Sequence, residues 1–119
     1  LLPNEFMDIL ESMAIYSEYT KSIIYKSFKE FSNNSYEFSI NFSLSDIQNY
    51  NTISFFKTMI SNYPDVAKRC TIELLENEAV ENFELVNSFF TELKSYGIQT
   101  ALDDFGSGYS NFAYIFSLQ

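Results

Sequence analysis

The chain has 119 residues, enough for one domain and too few for two, and its 46% hydrophobic and 18% aromatic content is that of a globular protein. Sixteen acidic against seven basic residues give a net charge of −9, which excludes DNA or RNA as a direct partner and calls for divalent cations if phosphate is handled at all. With no histidine, any chemistry must run on carboxylates, amides, lysine or a bound metal ion.

Pro3-Asn4, followed by Phe6, Ile9, Leu10 and Met13, predicts a first helix, and Ile23/Ile24, Phe28 and Phe31 predict a second. Asn33-Asn34-Ser35 breaks the chain. Tyr36 to Phe42 then alternates, with Phe38, Ile40 and Phe42 on one face, which is strand periodicity. Ile53, Phe56, Met59/Ile60 and Tyr63 predict a third helix, with Asn51 as N-cap and Tyr63-Pro64 as stop. Cys70 to Leu75 reads as a second strand, and its cysteine as a buried, reduced thiol of a cytoplasmic protein. Val80, Phe83, Val86, Phe89/Phe90 and Leu93 form one amphipathic helix closed by Gly97. Ile98 to Leu102 is a third strand, Asp103 to Ser110 a loop, and Asn111 to Leu118 the start of another helix. No apolar run reaches the roughly 20 residues that span a bilayer, and no signal peptide is expected.

Strands alternating with helices imply a parallel α/β sheet. Three strands cannot close, so the pattern predicts part of a (β/α)₈ barrel; a complete three-stranded α/β sandwich is the alternative. The opening on Leu1 rather than Met fits a chain that starts inside a longer protein. Open sheet edges and Phe-rich faces predict self-association, and no direct membrane insertion is expected.

In parallel βα folds, functional groups collect at the carboxyl ends of strands. Each predicted strand ends in a hard oxygen donor: Asn41 on the first, Glu73 in the second, Asp103-Asp104 closing the third. Amide and carboxylate oxygens are the ligands that Mg²⁺ or Mn²⁺ prefers. Two residues below them stand the small side chains Ser39, Thr71 and Ala101, which would leave room in a barrel interior. Taken singly, a strand asparagine or an Asp-Asp pair before glycine has a bland reading as a hydrogen-bonder or a turn. Three strand ends together favour a site.

The run Asp103-Asp104-Phe105-Gly106-Ser107-Gly108-Tyr109-Ser110 resembles the signature loop of the EAL family of cyclic-di-GMP phosphodiesterases. Ile72-Glu73-Leu74-Leu75-Glu76 is similar to that family's E-L-T-E segment, Ile40-Asn41-Phe42-Ser43 to its N-L-S segment, and Pro3-Asn4-Glu5-Phe6-Met7 to its P-x-E-F-I opening. The resemblance covers essentially all 119 residues, as the middle portion of a single barrel domain without its first strand and its C-terminal part. It implies that Asn41, Glu73, Asp103 and Asp104 bind two Mg²⁺ or Mn²⁺ ions, while Glu76 anchors the glycine loop through Gly106 and Ser110. It implies hydrolysis of cyclic-di-GMP to linear pGpG in bacterial signalling, in a cytoplasmic domain whose parent could be membrane-tethered. The E-A-L motif would precede Pro3 and the catalytic lysine would lie beyond Gln119, so no catalytic residue of that kind falls within the chain and the isolated piece is expected to be inactive. Leu75 stands where the family carries Thr or Ser. A degenerate domain acting as a cyclic-di-GMP receptor or interaction module is the alternative reading.

Overall fold

The computed structural model describes the backbone of residues 3–103 and the side chains of residues 15–103. Three parallel strands, β1 (Phe38–Asn41), β2 (Cys70–Leu75) and β3 (Gln99–Asp103), form a sheet in the order β1-β2-β3. Helix α1 (Pro3–Phe31) precedes β1. Between β1 and β2 lie α2 (Leu44–Gln48), α3 (Tyr50–Asn62) and α4 (Pro64–Ala67); between β2 and β3 lie α5 (Glu76–Glu81) and α6 (Phe83–Ser95). β1 and β2 are each followed by helix and then by a parallel neighbour, the βαβ order that the alternation implied.

Strand alternation divides the sheet into two unlike faces. Ile40, Cys70, Ile72 and Leu74 are buried against the helical layer, with Leu102 packed beside them. That layer supplies Ile24 and Phe28 from α1, Phe56, Met59 and Ile60 from α3, and Val86, Phe89, Phe90 and Leu93 from α6. Phe28 lies at the centre, fully buried and edge-on to Phe38 and Phe56, while Phe42 packs on Phe56 and Phe89. Full burial of a side chain of this size contributes about 1.5–3 kcal/mol. The opposite face carries Ser39, Asn41, Thr71, Glu73, Leu75, Gln99, Ala101 and Asp103, all exposed or half-buried. No helix among the described residues is long and apolar enough to cross a membrane.

The two predicted helices at the start are one. Residues 14 to 22 contain neither Gly nor Pro, and the hydroxyls that interrupt the apolar stripe are buried and bonded: Ser17 Oγ to Thr52 Oγ1 at 3.0 Å, Thr20 Oγ1 to Asp46 Oδ1 at 2.8 Å. Helix α3 starts earlier than Asn51 predicted, because Asn49 is its cap and accepts from the Thr52 N–H at 3.0 Å. The helix expected from Val80 to Leu93 is broken at Asn82, whose φ of −144° and ψ of 71° leave the helical region, and Val80 is exposed. The short helices α2 and α4 were not expected. The third strand runs one residue later than predicted, so Asp103 belongs to the strand and not to the following loop. The expected loop from 104 and the helix from 111 lie outside the described residues.

The shift has a local cause. Helix α6 ends with Gly97 at φ 85°, its N–H donating to the Lys94 carbonyl while Ile98 N–H donates to Leu93. This pair of bonds is a Schellman turn, and the buried Leu93 and Ile98 supply its apolar contact, so Ile98 is used in the turn. Just before β2, Arg69 donates to the Tyr36 carbonyl at 2.7 Å and to the Phe31 carbonyl at 2.9 Å, tying the α1–β1 turn to the start of β2.

Gly97→Ala is expected to destabilise the protein by about 1–2 kcal/mol, because a side chain is strained at this φ. Chemical denaturation that left the midpoint unchanged would contradict that reading of the turn. Burial pushes the Cys70 thiol up to about 12, so the thiolate is suppressed and its contribution to stability falls only as pH rises from about 9 toward 12. Iodoacetamide at neutral pH should therefore leave folded Cys70 unlabelled and modify it once urea unfolds the chain; stoichiometric labelling of folded protein would refute this.

Candidate metal-binding site on the open sheet face

The site forms because β1 ends level with Glu73, two residues before the end of β2. Their register pairs Asn41 with Glu73, so the amide and the carboxylate project side by side from the open face of neighbouring strands, whose backbones lie about 4.8 Å apart. Asp103 shares that face on β3. It is paired with Leu75, not with Glu73, and so stands one pleat repeat further along, about 6.6 Å. Ala101 occupies the position level with Glu73. The small-residue layer expected beneath the donors is therefore staggered: Ser39 and Thr71 lie one repeat below Asn41 and Glu73, with Gln99 beside them on β3, and Ala101 sits one row higher. Stagger of this kind is a consequence of strand tilt, since register rows run obliquely to a barrel axis.

Asn41 and Asp103 are exposed and Glu73 is half-buried. Among the described residues none of the three side chains makes a hydrogen bond or ion pair. No three His, Cys, Asp or Glu side chains gather to hold a metal ion among the described residues. What is present is two carboxylates and one amide on three adjacent strands, a donor set of hard oxygens that suits Mg²⁺ or Mn²⁺. Asp104, Gly106 and Ser110 lie outside the described residues. Glu76 does not share the open face: it opens α5 directly after β2 and is buried.

Sequence reasoning missed the scaffold that holds the end of β1. Ser43 caps α2 in a capping box, its hydroxyl accepting from the Asp46 N–H and its own N–H donating to Asp46 Oδ2 at 2.8 Å. The carboxylate of Asp46 is buried and also receives Thr20 Oγ1 and Tyr16 OH from α1. Glu78, on α5, accepts from the Leu44 N–H at 2.9 Å. The spacing Ser43-Leu44-Ser45-Asp46 carries a capping signal, although the box usually ends in Glu or Gln. Nothing in the pattern around Glu78 announces a bond across 34 residues.

The EAL domain family matches residues 1–119. The cyclic di-GMP phosphodiesterase PdeA of Borreliella burgdorferi is 31% identical over 120 residues, covering 97% of this chain and 18% of that protein. The cyclic di-GMP phosphodiesterase PdeB of Shewanella oneidensis is 27% identical, covering 97% of this chain and 14% of that protein. Among solved structures, the PaMucR phosphodiesterase in complex with c-di-GMP superposes with a TM-score of 0.75 at 15% identity, covering 97% of this chain and 52% of that one. The EAL domain of Xanthomonas citri FimX in complex with c-di-GMP gives 0.72 at 15% identity, covering 97% of this chain and 47% of that one. The chain thus spans less than a fifth of those two relatives and about half of those two solved chains. These likenesses make its three strands and flanking helices part of a TIM-type barrel, whose interior is the open face described above. Over its whole length, the chain belongs to the EAL domain family.

Proposed function

We propose that this chain is the middle portion of a single EAL domain that hydrolyses cyclic-di-GMP to linear pGpG, with Asn41, Glu73, Asp103 and Asp104 as ligands to divalent cations. The observation that carries the reading is the pairing of Asn41 with Glu73, and of Asp103 on the same open face, with no internal partner for any of the three side chains among the described residues. Two carboxylates lining a barrel interior repel one another where the dielectric is low, so a cation between them stabilises both. Mg²⁺ or Mn²⁺, two per domain, would hold the attacking water, lower its pKa and neutralise the phosphate oxygens.

The residues have separable tasks. Glu73 and Asp103 bring negative charge to the ends of β2 and β3, and Asn41 adds a neutral oxygen beside Glu73. Glu76, buried at the first position of α5, would anchor the loop of Gly106 and Ser110. The reaction is in-line attack of water on one phosphodiester, with the 3′ oxygen leaving. The activating lysine is proposed to come from elsewhere in the domain, so the chain by itself would hydrolyse nothing. The domain would work in the cytoplasm, where a buried thiol such as Cys70 stays reduced. The separated piece, with β1 and β3 at its sheet edges, would self-associate.

Leu75 favours a second reading. It stands beside Asp103 in the register and offers no hydrogen bond where the family carries Thr or Ser. A site weakened in this way would bind cyclic-di-GMP without turning it over and serve as a receptor or interaction module.

In the intact domain, Glu73→Ala and Asp103→Ala should each reduce turnover of cyclic-di-GMP below detection, measured by release of pGpG in the presence of Mg²⁺ or Mn²⁺. Wild-type rates in either variant would refute the assignment. Nucleotide binding by calorimetry without any pGpG from the wild type would favour the receptor.

A further inference from the structure

We propose that Glu78 is a positioning residue that locks the end of β1, and with it Asn41, to helix α5, which follows the strand of Glu73. The inference rests on the metal-site reading above and extends it from the donors to what sets their spacing. β1 has four residues, and Asn41 is its last. A strand of four residues offers its last residue few ladder bonds, so contacts beyond the strand decide how firmly Asn41 is held. The three N–H groups that follow Asn41 are all satisfied, each by a different acidic residue. Phe42 N–H donates to the backbone carbonyl of Glu73 at 2.8 Å, Ser43 N–H to Asp46 Oδ2 at 2.8 Å, and Leu44 N–H to Glu78 Oε1 at 2.9 Å.

The first of these bonds continues the sheet, and the second is internal to the α2 cap. Only the third joins the helices that follow β1 and β2 through a side chain. Glu78 is available for the task because α5 has no side-chain cap: Leu75 precedes it, so the acidic residue at its third position is not drawn into a capping box. Its carboxylate instead meets the first N–H of α2, where negative charge is favoured by the helix end. The result is a bridge from the segment three residues after Asn41 to the segment five residues after Glu73. Asn41 and Glu73 are held both by the ladder and by this bond beyond it.

Amide hydrogen exchange and Mn²⁺ titration of the intact domain test the clamp together. Glu78→Ala should lower protection of the Leu44 amide by about tenfold and weaken Mn²⁺ binding by about tenfold, while Glu78→Gln, which keeps an accepting oxygen, should retain both. A purely structural role predicts a lower melting temperature for Glu78→Ala with Mn²⁺ affinity unchanged, and that outcome overturns the proposal. Equal impairment of the Ala and Gln variants, or unchanged Leu44 protection in Glu78→Ala, does so as well. If the wild type binds no Mn²⁺, the metal reading fails separately, and the exchange measurement still decides whether Glu78 holds the start of α2.

Discussion

The alternation of β2 is the constraint on which the rest of the structure depends. Cys70, Ile72 and Leu74 are buried in the helical layer, so Thr71, Glu73 and Leu75 must face the other way. Because β2 is the central strand, the same choice fixes its neighbours: Asn41 is brought beside Glu73, and Asp103 beside Leu75, by register alone. A slip of one residue would expose Ile72 and bury Glu73, exchanging a gain of about 1.5–3 kcal/mol for a charge without a partner. The apolar face thus selects the register, and the register assembles the donors.

Helices enforce the same arrangement from outside. Helix α1 reaches over α2 and α3 through Tyr16, Ser17 and Thr20, whose hydroxyls meet Ser43, Asp46 and Thr52. Asp46 is a buried carboxylate with no salt-bridge partner among the described residues, stabilised by hydroxyl and backbone donors. Between α3 and α6, Lys57 pairs with Glu92 at 2.7 Å, and Tyr96 OH donates to the same carboxylate. The Lys57 ammonium and the Tyr96 hydroxyl hold the Glu92 carboxyl below its ordinary range. That pair is substantially exposed and contributes little to stability, whereas the aromatic cluster around Phe28 contributes much more.

Much of this was legible in the sequence, for reasons that differ by element. Cys70–Leu75 was read with its observed bounds because strict alternation, Cys-x-Ile-x-Leu, has only one structural meaning at that length. Gly97 marked the end of α6 because few other residues tolerate its φ. The joining of the first two helices was not legible, since Ser17 and Thr20 look like breaks in the stripe until Thr52 and Asp46, about 30 residues away in sequence, supply their partners. Asn82 broke the next long helix without glycine or proline, and no local pattern distinguishes it from a surface asparagine inside a helix. Of the site, Asn41 and Asp103 follow from strand ends and Glu73 from the strand between them; Glu78 does not, because its partner is set by tertiary packing alone.

The open polar face gives the family membership its physical content. It is the inner wall of a barrel, lined by donors whose partners are not found among the described residues. The most direct test is a crystal of the intact domain soaked in Mn²⁺ and measured for anomalous scattering. The account predicts manganese coordinated by oxygens of Asn41, Glu73 and Asp103. Manganese bound elsewhere, or none at that face in a crystal that holds the ion, would contradict it.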